Sequence, residues 1–116
     1  KGTNVQALLN ALQWVQKPVI LIAGGKDKGQ DFSCLKEVFK KKVKQLIAIG
    51  STGKRLIQLA DEWNVKGCFV PNLIEAVQTG LKNLNKDDIL LYCPASSHDD
   101  SAFNSAEEVG GYLSLL

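Results

Sequence analysis

The sequence is short of several things, and each shortage closes off a class of protein. Across 116 residues no apolar run approaches the roughly 20 that a membrane-spanning helix needs. There is one histidine, and the three cysteines, Cys34, Cys68 and Cys93, are widely spaced with no CxxC pair. That pattern argues against a structural zinc site and for a reduced, cytoplasmic setting. A net charge of +2 is too small to point to nucleic acid. The opening "KGTNVQALLN" has no apolar segment of the kind a secretory signal carries. It also begins on Lys1 rather than Met, so the chain is expected to be a piece of a longer protein.

What is present suits one compact α/β domain. Apolar residues make up 45% of the chain, enough to build a core at this length. Four short apolar runs, 18–23, 45–50, 67–70 and 88–93, lack polar alternation, as strands buried on both faces do. Helical periodicity fills the gaps between them. Thr3 can cap a first helix with Val5, Leu8, Leu9 and Leu12 inward, and Pro18 stops it. Ser33 can cap a second, with Leu35, Val38 and Phe39 inward and the lysines of "KEVFKKKVK" outward. A third covers 53–63, and Asn72 can cap a fourth in which Ile74, Val77 and Leu81 recur. A weaker helix is expected over 105–116, where Gly110 and Gly111 each cost up to about 1 kcal/mol. Strands alternating with helices through short connections predict a doubly wound, mainly parallel sheet of about four strands, helices on both faces. Ligands of such sheets bind beyond the carboxyl ends of the strands.

Four polar segments are candidates for that edge. In "ILIAGGKDKGQDF" (20–32) glycines frame Lys26, Asp27 and Lys28, so a strand hands two cations to the surface where a phosphate or carboxylate could use them. "GSTGKR" (50–55) imitates a phosphate loop but fails the pattern. Two residues instead of four separate its glycines, and Arg55 replaces the required hydroxyl residue, so an ordinary helix-starting turn is expected. "CPASSHDD" (93–100) holds Ser96, Ser97, His98 and Asp99 in adjacent positions, which do not reach the relayed geometry of a hydrolase triad. Binding of a polar substrate, or plain solvation, remains for it, and Cys93 reads as a buried strand residue. "KGTN" (1–4) sets a lysine, a hydroxyl and an amide before a helix; a cap accounts for Thr3 or Asn4 but not for Lys1. The lysines of 36–44 read either as a solvated helix face or as a surface for an anionic partner.

Three of these stretches together resemble the D-glutamate-adding branch of the Mur ligases. "KGTN" is similar to the end of that family's D-S-K-[AG]-T-N signature, and "ILIAGGKDKGQDF" follows its strand and loop nearly residue for residue. "ILLYCPASSHDDSAFNSAEEVGGYL" resembles its closing segment, with order and spacing kept along the whole chain. The D-N-P-R loop of the diaminopimelate or lysine ligases is missing, and folylpolyglutamate synthases do not carry "GGKDKG".

The resemblance implies a Rossmann-like C-terminal domain, 1–116, of a three-domain cytoplasmic enzyme whose N-terminal and central domains are not in this sequence. It implies an ATP- and Mg²⁺-dependent ligase, its cofactors held mainly by the central domain, that adds D-glutamate to UDP-N-acetylmuramoyl-L-alanine through an acyl phosphate. A monomer is expected, without nucleic-acid or membrane partners and without catalytic activity in the fragment alone. By position, Thr3 and Lys28 match contacts to D-glutamate, and Lys1 with Asn4 matches contacts to nucleotide and acyl phosphate. No metal ligand is assigned. In the closing segment the family's substrate-binding serine falls on His98, or on Ser97 if a gap is placed there, and Val109 replaces an arginine. That departure keeps two alternatives open: a related Mur ligase using another amino acid, and a non-catalytic nucleotide-binding or regulatory module.

Overall fold

A computed structural model describes residues 4–25, 29–92 and 113–114. Helix α1 (Asn4–Trp14) leads into strand β1 (Val19–Gly24). A single 3-10 turn (Ser33–Leu35) and helix α2 (Lys36–Lys42) follow, then β2 (Val43–Ile49), α3 (Gly50–Glu62) and β3 (Gly67–Phe69). Helix α4 (Leu73–Asn83), β4 (Ile89–Tyr92) and β5 (Leu113–Ser114) complete the order. The strands lie as β3-β2-β1-β4-β5, and every pairing is parallel. Among the described residues no helix is long and apolar enough to cross a membrane.

The two-residue period of β1 divides its side chains between two cores. Val19, Leu21 and Ala23 face a cluster built with Leu8 and Leu12 of α1, Phe39 of α2, and Leu56 and Ala60 of α3. Ile20 and Ile22 face a second cluster with Ile47, Ile49 and Tyr92 of the sheet and Leu73, Ala76 and Val77 of α4. So α1, α2 and α3 cover one face and α4 the other. The first core is tied laterally by Phe39 and Trp63, whose rings meet edge to face at 5.5 Å, a geometry worth about 0.5–1.5 kcal/mol beyond burial. On the second face the buried amide of Gln45 accepts from Asn83 at 3.0 Å, so α4 is pinned to β2 without an orphaned polar group.

Several details depart from the sequence expectation. The sheet has five strands, because Leu113 and Ser114 pair with Leu91 and Tyr92 along the open edge of β4. Within the helix expected at 105–116 these two residues are therefore extended; its remaining positions lie outside the described residues. Ser33 makes no side-chain cap. Instead Asp31 Oδ1 accepts from the Ser33 N–H at 2.9 Å, doing the same work two residues earlier. Helix α3 begins at Gly50, so the imitation phosphate loop is its opening turn. On α4 the stripe is rotated: Leu73, Ala76, Val77 and Gly80 are buried, while Ile74 and Leu81 are 51% and 54% exposed. A Cβ on Gly80 would lie 2.6 Å from Leu90 Cδ1, so the bare backbone packs close against that side chain. Asn72 caps α4 as expected, accepting from the Glu75 N–H at 2.8 Å.

Candidate functional site

The order of the sheet contains one reversal. From β1 the chain winds outward through β2 to β3 by helices on one face, then crosses by α4 on the other face to β4, on the opposite side of β1. The strands that follow β1 and β4 therefore lie on opposite sides of the pair, the arrangement beyond whose carboxyl ends ligands of such sheets bind. Those ends are neighbours, Ile22 pairing with Tyr92. Helix α1 packs on the sheet and turns back into β1 through only 15–18, so it runs antiparallel to β1 and starts at this same edge. It also touches the 3-10 turn that follows the β1 loop.

Three described ends thus share one edge, the start of α1, the end of β1 and the end of β4, and residues 1–3, 26–28 and 93–100 adjoin them in the sequence. Lys1, Thr3, Lys28, Ser97 and His98 themselves lie outside the described residues, as do Lys26 and Cys93. Asn4 opens α1, and nothing about its side chain is described. Topology brings the described ends that adjoin these segments to one edge, and the contacts of these side chains lie outside what is described.

What is described is the frame around 26–28. Gly24 ends β1 so close to β2 that a Cβ on it would lie 1.9 Å from the Ile49 carbonyl oxygen. Gly25 donates to that oxygen at 3.3 Å, and its own carbonyl accepts from Thr52 N–H at 3.0 Å and Ser51 Oγ at 3.5 Å. Gly50 reaches the facing position with φ of +75°, and a Cβ there would be 2.7 Å from Gly25 O. A side chain at either strand end would force the first turn of α3 away from the β1 loop. Close backbone approach is what these glycines permit, and it sets where the loop departs.

The far side of the loop is held by a residue that sequence reasoning passed over. Arg55, one turn into α3, donates from its guanidinium to the Gln30 carbonyl oxygen and lies 4.4 Å above the centre of the Phe32 ring. Phe32 is buried in the first core. Asp31, between them, has its carboxyl held below the usual 3.8 by the Ser33 N–H, then by the Ser33 hydroxyl, with Arg55 a smaller contribution. The signal in the sequence was the arginine that broke the phosphate-loop pattern. Its meaning depends on a contact 25 residues away.

The lysine run behaves differently from this edge. A depression of about 550 Å³ at the amino ends of the strands is lined by Lys17, Lys40, Lys41, Lys42 and Lys44. Two of the five are tied into the fold, Lys42 donating to the Val15 carbonyl and Lys44 to the Asp88 carboxylate. The run is thus partly a fastening of α2 and β2 to their neighbours. It lies across the molecule from the carboxyl edge.

As for a cofactor, the described residues hold no group of three His, Cys, Asp or Glu able to bind a metal ion. The turn that imitated a phosphate loop is helical.

Comparison with known proteins bears on the same segments. Curated relatives named UDP-N-acetylmuramoylalanine--D-glutamate ligase align along nearly the whole chain. The Thermoanaerobacter pseudethanolicus protein is 37% identical over 113 residues, 95% of this chain and 25% of the relative. The Desulfitobacterium hafniense protein is 34% identical over 117 residues, 100% and 26%, and the Chlorobium chlorochromatii protein 36% identical over 113, 97% and 24%. The chain spans about a quarter of the length of these relatives. The family model described as "Mur ligase, glutamate ligase domain" matches residues 1–96, which takes in "KGTN", the glycine-framed loop and the first residues after β4. With most of its length covered by that model, the chain belongs to the Mur ligase family as a glutamate ligase domain.

Proposed function

We propose that this chain is the amino-acid-binding domain of an ATP-dependent ligase that joins D-glutamate to UDP-N-acetylmuramoyl-L-alanine in peptidoglycan synthesis. The observation that carries the reading is that the start of α1 and the ends of β1 and β4, from which the three signature segments continue in the sequence, share one sheet edge in a domain whose relatives bear that ligase name. D-glutamate brings two carboxylates, and a loop framed by glycines at the end of a buried strand can offer cations to them without burying charge in the core. Thr3 and Lys28 are assigned to D-glutamate, together with His98 or Ser97 from the segment after β4. Lys1 and Asn4 are assigned to the nucleotide and acyl-phosphate side. ATP and Mg²⁺ belong to parts of the enzyme outside this chain, and this domain contributes by binding and orienting the amine donor. The setting is cytoplasmic and the enzyme a monomer.

The test is phosphate release by the full-length protein. It should require ATP, UDP-N-acetylmuramoyl-L-alanine and D-glutamate together. Turnover with meso-diaminopimelate or L-lysine in place of D-glutamate would reassign the domain to a related ligase. No turnover with any amino acid would favour a non-catalytic module. Within an active enzyme, His98→Ala should weaken D-glutamate use and Ser97→Ala should not; the reverse would move the assignment by one residue.

A further inference from the structure

Lysines from three parts of the chain converge on one depression at the amino ends of the strands. Its volume is about 550 Å³, and its cations are Lys17 ahead of β1, Lys40, Lys41 and Lys42 at the end of α2, and Lys44 in β2. The whole chain carries a net charge of only +2, so this excess of one sign is local. Lys42 and Lys44 are committed within the fold, to the Val15 carbonyl and the Asp88 carboxylate. Lys17, Lys40 and Lys41 are exposed and form no ion pair among the described residues. Glu37, one turn back from Lys41 on α2, forms none with it. The helix end alone does not account for the cluster. The carbonyl end of a helix carries about half a negative charge, whereas three lysines occupy the last turn of α2 and two more come from other elements.

We propose that this depression binds a soluble molecule carrying two or more adjacent phosphate groups. Lys17, Lys40 and Lys41 each supply a positive charge that no carboxylate among the described residues takes up. Two phosphate groups carry about −3 to −4 between them near pH 7, so the charges come close to matching. Concavity and volume favour a compact solute over a lipid surface, since small-molecule sites span roughly 300–1,000 Å³. A recess lined by one sign also focuses its field and raises the local concentration of the opposite ion. Ammonium groups on flexible stems meet phosphate oxygens as point charges from several directions, which suits an anion without a fixed plane. The depression lies at the opposite end of the strands from the carboxyl edge, so the proposal needs no assignment made there.

Two measurements on the full-length protein test this, with inorganic pyrophosphate as the probe. In the first, lysines are acetylated with and without pyrophosphate at matched ionic strength and read by mass spectrometry. Lys17, Lys40 and Lys41 should be protected about threefold or more, while the exposed Lys36 and Lys82 should not change. No protection at the three, or equal protection of all five, would overturn the proposal. The second is calorimetric titration of the parent and of the triple variant Lys17→Gln, Lys40→Gln, Lys41→Gln. Nucleotide sites elsewhere in the protein contribute equally to both, so the difference reads this depression. The parent should show a saturable component that weakens about tenfold or more in the variant, and identical isotherms would overturn the proposal. Inorganic phosphate should need about tenfold higher concentration for the same protection; equal potency would overturn the requirement for adjacent phosphates. Cosedimentation with phosphatidylglycerol vesicles that depends on the three lysines, without protection by pyrophosphate, would assign the face to a membrane surface and overturn the proposal as well. Should the triple variant fail to fold, the acetylation pattern of the parent decides.

Discussion

Replacing Gly24 by alanine tests the packing at the carboxyl edge with one methyl group. The added Cβ would sit 1.9 Å from Ile49 O, 2.7 Å from Ile49 C and 2.8 Å from Ile49 Cγ1. Two of those atoms are backbone of a central strand, so no rotamer change relieves the contact, and β1 and β2 must separate by about 1 Å at their ends. Overpacking of this kind costs about 1–3 kcal/mol. The same shift breaks the Gly25 N–H bond to Ile49 O and loosens the one from Thr52 N–H to Gly25 O, at about 1 kcal/mol each. A total of about 3–5 kcal/mol follows. For a 116-residue domain unfolding entropy near 2.1 cal/mol/K per residue converts that into a fall in Tm of about 12–20 °C. Gly29→Ala is the control: it has open space around its Cβ and a φ of +74°, so only the backbone strain of about 1–2 kcal/mol applies, or about 4–8 °C. Thermal unfolding of the 116-residue domain followed by circular dichroism compares the two. A Gly24→Ala transition within about 4 °C of the parent, or no lower than that of Gly29→Ala, would refute the reasoning.

Three other outcomes are expected. In the full-length enzyme Lys28→Ala should raise KM for D-glutamate about ten- to a hundredfold with little effect on ATP, and Lys26→Ala should do less; the opposite ranking in steady-state kinetics would reassign the loop. Asn72→Ala removes the cap that accepts from Glu75 N–H and should lower stability by about 1 kcal/mol in urea titration with the slope unchanged. The Asp88 carboxyl is held below 3.8 by the Lys44 ammonium first and the Asn85 N–H second. The stability it contributes is therefore present above that value and lost as pH falls through its lower folded pKa. Tm measured against pH should accordingly fall less steeply below about 4 in Asp88→Asn than in the parent.

The sheet was legible in the sequence because its strands are buried on both faces. "VILIA" and "LIAI" have no polar alternation to mislead, and helical spacing separates them. The stripe of α4 was misread because Ile74 and Leu81 look like core residues. The stripe that is buried instead, Leu73, Ala76, Val77 and Gly80, includes an alanine and a glycine that carry little apolar signal in the sequence. Ser33 looked like a cap, yet Asp31 reached the free N–H first. Leu113 and Ser114 could not be recognised as a strand, since two residues carry no period and only the open edge of β4 gives them a partner. The glycine-framed lysines stand out in chain order alone, and Lys26 and Lys28 themselves lie outside the described residues. Arg55 does not stand out, because a residue that acts on Gln30 and Phe32 has no local pattern to betray it.

The position of β1 also has a consequence for how the chain is made. Its partner on one side, β2, begins 24 residues downstream at Val43, while its partner on the other, β4, begins only at Ile89. On a ribosome adding about 5–20 residues per second, the roughly 20 residues between β3 and β4 take about one to four seconds. Throughout that interval β1, β2 and β3 can assemble with α2 and α3 on one face, while the other side of β1 stands as a bare, wholly apolar edge. Such an edge invites pairing with the same strand of a neighbouring nascent chain. Synthesis slowed between Phe69 and Ile89 should therefore raise the insoluble fraction, and binding of a chaperone should concentrate in that window rather than after Tyr92 has emerged.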